Sequence, residues 1–503
     1  MIKLTPERLV FLFFLVFFIF VPNNDQGYDS YAFLLDARDG LEIVHPHHLL
    51  YNVFKHILFL LSTGVGLDAM KVISLASSVL GALSLAVIFR FIRQRALPEI
   101  ALTGAIIVGM VFSSWYYSTS VEVNIVTMMF LILSLYYLTR ENGDRSSILA
   151  FLLLTIGILF HQILILALIP MLIYDSSRHR SFVRSIRSCM YSIIPGFVIY
   201  IVVAFAASDG GITGAFAWLT KYPGLGRWGV VHSGSLIASA GGIAKAVFGG
   251  SMLRQALYGG GISLPEILYL VGAGLSLCGM IILFISATKN ILKKTDSILM
   301  AATSLIFLVF AFWWAPQDGG FWFYPVVLIM TIIFISIGNS ALIRNTAYAT
   351  MIIFAFVNIT CEFVPASRIN NSVSRSGADA LAKLALDDND LIVANMPQIR
   401  LALDYHYRVK PKIKSVAYLE DGPKSEVIRR YQSFLSDFEG RMIIFENEIY
   451  PESHRRFLFG RFSQSEYTET YQPFLSSLVP VDSIRVYGKW VTIYELEKDD
   501  VQK

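Results

Sequence analysis

Apolar runs long enough to cross about 30 Å of hydrocarbon, allowing for short and tilted spans, recur along the first three quarters of the chain. They lie near residues 8–22, 68–90, 98–114, 121–139, 147–160, 162–174, 187–207, 264–287, 297–314, 321–338 and 343–362, which predicts about eleven transmembrane helices. One further run, His47 to Leu67, is amphipathic. It is predicted to lie in the interface, because a spanning helix there would invert every later segment. Beyond Glu362 the pattern becomes that of a soluble domain. Leu391–Asn395, Ile413–Leu419 and Met442–Glu446 read as short buried strands separated by helical patterns at 397–407 and 424–438. A hairpin is predicted from Ser483–Tyr487 and Trp490–Leu496, turning at Gly488 and Lys489. The expected fold is therefore a polytopic α-helical membrane domain, residues 1–362, with outer loops 23–67 and 208–263. A small C-terminal α/β domain follows over residues 366–503.

Composition and charge give this pattern an orientation. The 503 residues are 55% hydrophobic and only 16% charged, too apolar for an ordinary soluble chain. Arg90, Arg93, Arg95, Arg140, Arg145, Arg178, Arg180, Arg184, Arg187, Lys289, Lys293, Lys294 and Arg344 fall in alternate loops. The loops after residues 114, 160 and 314 hold no lysine or arginine. The positive-inside bias then makes the N-terminus cytoplasmic and puts the C-terminal domain on the non-cytoplasmic face. A net charge of +4, dispersed over short loops, does not indicate nucleic-acid binding. Cys189, Cys278 and Cys361 all lie in apolar runs, which gives neither a disulfide framework nor a cysteine-based metal site. No small-residue cleavage site follows Leu9–Val21, so this run reads as a retained span.

On the outer face the chain concentrates ionisable groups: Asp25, Asp29, Asp36, Asp39 and Glu42, then His45, His47 and His48 around Pro46. Such groups beside a bilayer are costly, which makes the cluster a candidate site. Asp29 follows the first span, and Glu122 stands at the outer mouth of the fourth. Two carboxylates at one interface can divide a proton-accepting and an orienting role, the alternative being solvated loop acids. A zinc site can be drawn through the histidines, but HExxH is absent and adjacent His47 and His48 are expected to point apart. Interfacial hydrogen bonding is the simpler reading, and no metal ligands are assigned. His161 interrupts an apolar run at an outer turn, where a capping role competes with a ligand role. Arg227 and Arg254, with Lys221 and Lys245, are the outer cations; arginine forks suit the oxygens of a lipid-linked phosphate, and headgroup snorkelling is the alternative. Phe312–Pro325 reads as an interfacial aromatic belt, and Asp318 at its tip is the one residue that a belt leaves unexplained.

The order of these motifs resembles the membrane family related to the protein O-mannosyltransferases. The matching segments are Tyr28–Phe33, Leu41–Pro46 through Tyr51, Ser120–Val123, Gly157–His161, Phe323–Pro325, Asp390–Ala394 and Asp404–Tyr405. His47 and His48 replace the Pro-Gly usual there, and Asn124 stands where an aromatic is common. The resemblance implies a GT-C type glycosyltransferase using a polyprenyl-phosphate sugar donor and a protein, glycan or lipid hydroxyl acceptor at the outer face of a bacterial or archaeal cell membrane. It also implies Asp29 as catalytic base, His45 and Glu122 shaping the donor or acceptor site, and His161 as a secondary site residue. Mg or Mn is the one cofactor the chemistry would admit, to take the phosphate charge. A transporter or flippase of lipid-linked saccharides would instead place ionisable groups near mid-bilayer, with internal repeats. A non-catalytic scaffold leaves the Asp29 to His48 cluster without a use.

Overall fold

The computed structural model describes residues 5–41, 43–140, 143–208, 211–220, 229, 231, 234–250, 252, 263–384, 390–393, 397–409, 412–414, 441–445, 479–486 and 489–496. These divide into two compact units. The first comprises Met1–Pro22, Asp36–Gly250 and Leu264–Val364; the second comprises Asn23–Leu35, Ser251–Ser263 and Pro365–Lys503. This differs from the expected division at residue 362, because part of the first outer loop belongs with the C-terminal domain.

The first unit is a helical membrane bundle. Its helices are α1 (Pro6–Phe20), α3 (Leu49–Gly64), α4 (Ala69–Arg93), α5 (Pro98–Met110), α6 (Phe112–Thr119), α7 (Asn124–Leu138), α8 (Asp144–Phe160), α9 (Leu168–His179), α10 (Phe182–Ala206), α11 (Gly211–Leu219), α12 (Ser235–Phe248), α13 (Leu264–Ile291), α14 (Thr295–Trp314), α15 (Gly319–Ser336) and α16 (Ala341–Asn358). Helix α2 (Tyr28–Asp39), read from sequence as loop, begins in the second unit's segment. Among the described residues six helices are long and apolar enough to cross a membrane, or seven if the bent pair α5 and α6 is one span. The expected runs at 8–22, 121–139 and 147–160 form helices of 15, 15 and 17 residues. The run at 162–174 opens as a 3-10 helix, Gln162–Ala167, before α9.

The expected span 98–114 is broken. Val111 is extended, and the chain bends by 67° there. A bend in apolar surroundings frees carbonyls that need donors. The Asn358 amide supplies one, donating to Met110 O at 2.6 Å and to Val247 O at 3.0 Å. Close packing holds α1 against α5: a Cβ on Gly109 would lie 2.2 Å from Cε1 of the buried Phe14 ring. Trp115 closes the other side of the bend, donating to Val21 O at 2.8 Å and stacking on Phe363 at 4.6 Å.

In the second unit a five-stranded sheet has the order β2-β1-β3-β5-β4, with β1 Leu391–Val393, β2 Lys412–Lys414, β3 Met442–Phe445, β4 Val479–Val486 and β5 Lys489–Leu496. β1 runs parallel to β2 and β3, while β5 is antiparallel to β3 and to β4. Pro480 is tolerated in β4 because this is an edge strand with a register shift at Pro480/Asp482. Helices Val373–Lys383 and Pro397–Tyr407 pack with Ala378, Leu381, Ile399 and Leu403 fully buried. Arg441 pairs with the buried Asp390 at 2.7 Å beside β1. The helical pattern at 424–438 lies outside the described residues.

Candidate functional site

Asp29 stands in the first turn of α2 and is exposed. Tyr31, Leu34 and Leu35 are buried and share one face of this helix, which puts Asp29 on the opposite face. Their spacing is the signal by which the sequence could have revealed α2. A carboxylate in a first turn also meets the positive end of the helix dipole.

Glu122 is buried between α6 and α7 in the first unit. It lies within electrostatic reach of the Tyr117 and Tyr324 hydroxyls. Tyr324 donates to Asn124 Oδ1 at 3.1 Å and shares a 2.6 Å hydrogen bond with Thr127. Asn124 thus supplies an acceptor where the resemblance led one to expect a ring. Asp318 caps α15, accepting from Gly320 N at 2.8 Å. A Cβ at Gly320 would lie 2.8 Å from Tyr117 Oη and 3.2 Å from Asp318 Oδ1, so this glycine admits the tyrosine hydroxyl beside the carboxylate. Tyr117, Glu122, Asn124, Asp318 and Tyr324 therefore line one polar strip within the bundle. Trp322, Phe323 and Tyr324 are buried, which corrects the belt reading for that half of the aromatic run. Lys245 is the member of the four outer cations within the described residues. Its stem lies 3.5 Å from a Cβ position on Gly319, a placement the loop reading of 208–263 missed because α12 forms there. Arg227 and Arg254 lie outside the described residues.

The histidines converge, contrary to expectation. His45 stacks on His48 at 5.5 Å between ring centroids, His47 lies 6.3 Å from His48, and His161 meets His48 edge-on at 4.6 Å. A turn at Pro46–His47 brings adjacent side chains to the same place. His45 Nδ1 accepts from His47 N at 3.2 Å, and His161 Nδ1 accepts from Ile163 N at 3.2 Å to cap the 3-10 turn. Both rings are therefore neutral, with the proton on Nε2. Burial beside other imidazoles holds His48 well below the ordinary value, and burial lowers His47. Burial, with His47 and His45 nearby, pushes His161 down to about 3. Gln162 ties the turn to Pro46 O at 2.7 Å and to Tyr200 at 2.9 Å. Among the described residues no three of His, Cys, Asp or Glu are arranged to hold a metal. Stacked rings aim their lone pairs past one another. His56 pairs elsewhere, with Ala37 O at 2.9 Å. Asp36 meets the buried Lys55 at 3.5 Å, and Asp39 pairs with Arg38.

Residues 54–206 match the family described as dolichyl-phosphate-mannose-protein mannosyltransferase. That stretch contains Glu122 and His161 but not Asp29 or His45. No curated protein matches the chain in sequence. Among solved structures the fold is similar to ArnT from Cupriavidus metallidurans bound to undecaprenyl phosphate, with TM-score 0.55, 12% identity and 97% of each chain covered. The apo state of that protein gives TM-score 0.53 at 10% identity over 98% of each chain. The Archaeoglobus fulgidus oligosaccharyltransferase complex with Zn and sulfate gives TM-score 0.52 at 9% identity, covering 96% of this chain and 72% of the other. The chain is thus a multi-pass membrane protein in which residues 54–206 match a glycosyltransferase family and nearly the whole length shares the fold of these solved proteins.

Proposed function

We propose that the protein moves a sugar from a polyprenyl-phosphate donor to a hydroxyl acceptor on the non-cytoplasmic face, with Asp29 as general base. The observation that carries this reading is Asp29 itself, an exposed carboxylate presented by the first turn of a helix whose opposite face is buried. The undecaprenyl phosphate bound to ArnT supports a donor of that class. Asp29 takes the acceptor's proton as the acceptor oxygen bonds to the anomeric carbon. The bond from that carbon to the phosphate oxygen breaks, and its electron pair leaves on the phosphate. A single displacement of this kind inverts the anomeric centre.

Glu122, with Asp318 and the tyrosines of the same polar strip, suits the hydroxyls of a sugar. Lys245 is the described cation best suited to a phosphate oxygen. His45 and His161 serve this function through the loop and turn that they brace. Mg or Mn has no ready ligand set among the described residues.

The test is purified protein in lipid nanodiscs with undecaprenyl-phosphate mannose, glucose and arabinose, scored for donor turnover, with Asp29→Asn beside wild type. Donor binding retained with turnover reduced at least about 1000-fold supports the base, a loss in line with removing a group that acts only in the transition state. Full turnover in Asp29→Asn removes it, and a product with retained anomeric configuration removes the single displacement.

A further inference from the structure

The Asn23–Leu35 segment belongs to the same compact unit as the C-terminal domain, and the contacts that place it there are specific. Asp25 Oδ1 accepts from Val373 N at 3.2 Å and from Ser372 Oγ at 3.5 Å, which lays its carboxylate on the N-terminus of the Val373–Lys383 helix. Asn24 N donates to Ala366 O at 3.1 Å, and its side-chain amide donates to Ser367 O. Ser374 Oγ donates to Gln26 O at 3.2 Å. The segment is also locked on itself. Asp25 N donates to Asn23 Oδ1 at 3.0 Å, and Gln26 Nε2 donates to Asn23 O at 2.7 Å. On the far side of Asp29, the buried Tyr31 ring meets Tyr405 at 6.2 Å and His406 at 5.9 Å.

We infer that the C-terminal domain is a positioning element for catalysis: it clamps the chain on both sides of Asp29 and so fixes where the carboxylate points. This rests on the reading of Asp29 as the base. A loop of a few residues joined only to the first span would sample many conformations, and ordering it at the moment of reaction would raise the barrier. The clamp makes that ordering part of the fold. Asp25 is the positioning residue with the most direct hold, because its one oxygen serves two donors of the domain. It is four residues from Asp29, so a change there reaches the base through the backbone.

The experiment uses the full chain in nanodiscs with undecaprenyl-phosphate mannose, glucose and arabinose as donors, and compares wild type, Asp25→Ala, Asp25→Asn and Asp29→Asn. Asn keeps the acceptor oxygen that Val373 N needs; Ala removes it. Hydrogen exchange of the 23–35 peptide is read beside kcat and KM. The expected result for Asp25→Ala is exchange about 10-fold faster and kcat about 10- to 100-fold lower with donor KM unchanged, as misplacement of a reacting group gives. Asp25→Asn restores both. Unchanged exchange in Asp25→Ala overturns the clamp. Faster exchange with kcat unmoved, while Asp29→Asn is inactive, overturns its link to catalysis. Full turnover in Asp29→Asn defeats the base assignment instead, and the exchange measurement still judges the clamp by itself.

Discussion

Acidification from pH 7.5 to 5.0 should destabilise the bundle through its histidines, and His161→Asn isolates one contribution. His161 Nδ1 accepts the Ile163 amide, so a proton there would set a donor against a donor, and burial beside His45 and His47 opposes the same charge. An imidazole with a depressed folded pKa takes its proton first in the unfolded chain. The stability it lends is complete above the unfolded value of about 6.5 and is lost as pH falls toward about 3. Each such group costs about 1.4 kcal/mol per pH unit in that window, hence about 2 kcal/mol from His161 by pH 5.0. His48 and His47 are lowered as well and act in the same direction. Asn at position 161 keeps an oxygen for Ile163 N, asparagine being among the best caps, but does not titrate. The assay is equilibrium unfolding in mixed micelles at several pH values, followed by reaction of a thiol dye with Cys189, which is buried. At pH 7.5 the variant should lie within about 1 kcal/mol of wild type, since it gives up ring contact with His48. Between pH 7.5 and 5.0 it should lose about 2 kcal/mol less than wild type. Equal losses in the two proteins would refute the depressed His161 value, and a flat wild-type profile would refute the whole cluster as an acid-sensitive element.

Two further perturbations probe the broken span. Asn358→Leu leaves the Met110 and Val247 carbonyls without their amide donor, and the same unfolding assay should show a loss of about 2–5 kcal/mol. Gly109→Ala drives a methyl into the Phe14 ring and should cost about 1–3 kcal/mol, with Phe14→Leu recovering part of it in the double variant; additive effects would show that the two do not touch.

The bundle was legible from sequence because hydrocarbon thickness dictates the length of an apolar run; the expected runs are largely helical, although among the described residues six helices, or seven with the bent pair, are long and apolar enough to cross a membrane where about eleven spans were expected. Breaks were less legible. Nothing between Pro98 and Ser114 announces a bend, since neither proline nor a charge stands at Val111; the break is stabilised by Asn358, almost 250 residues away. The histidines failed for a related reason. Sequence spacing says where adjacent side chains point only if the backbone is regular, and at Pro46–His47 it turns, so His47 and His48 arrive at the same place and find His161 from another helix pair. Arg227 and Arg254 lie outside the described residues, so their expected role stays with the sequence. Asp29 is the opposite case. Its motif was readable, but the sequence treated the surrounding loop as an appendage of the membrane domain. Residues 24–26 instead hydrogen-bond to backbone and side-chain groups of residues 366–374, contacts between segments some 340 positions apart that no local pattern encodes. The residue proposed to do the chemistry is therefore held by the C-terminal domain, to which no local pattern assigns a catalytic role, and truncating that domain should impair turnover even with acceptors too small to touch it.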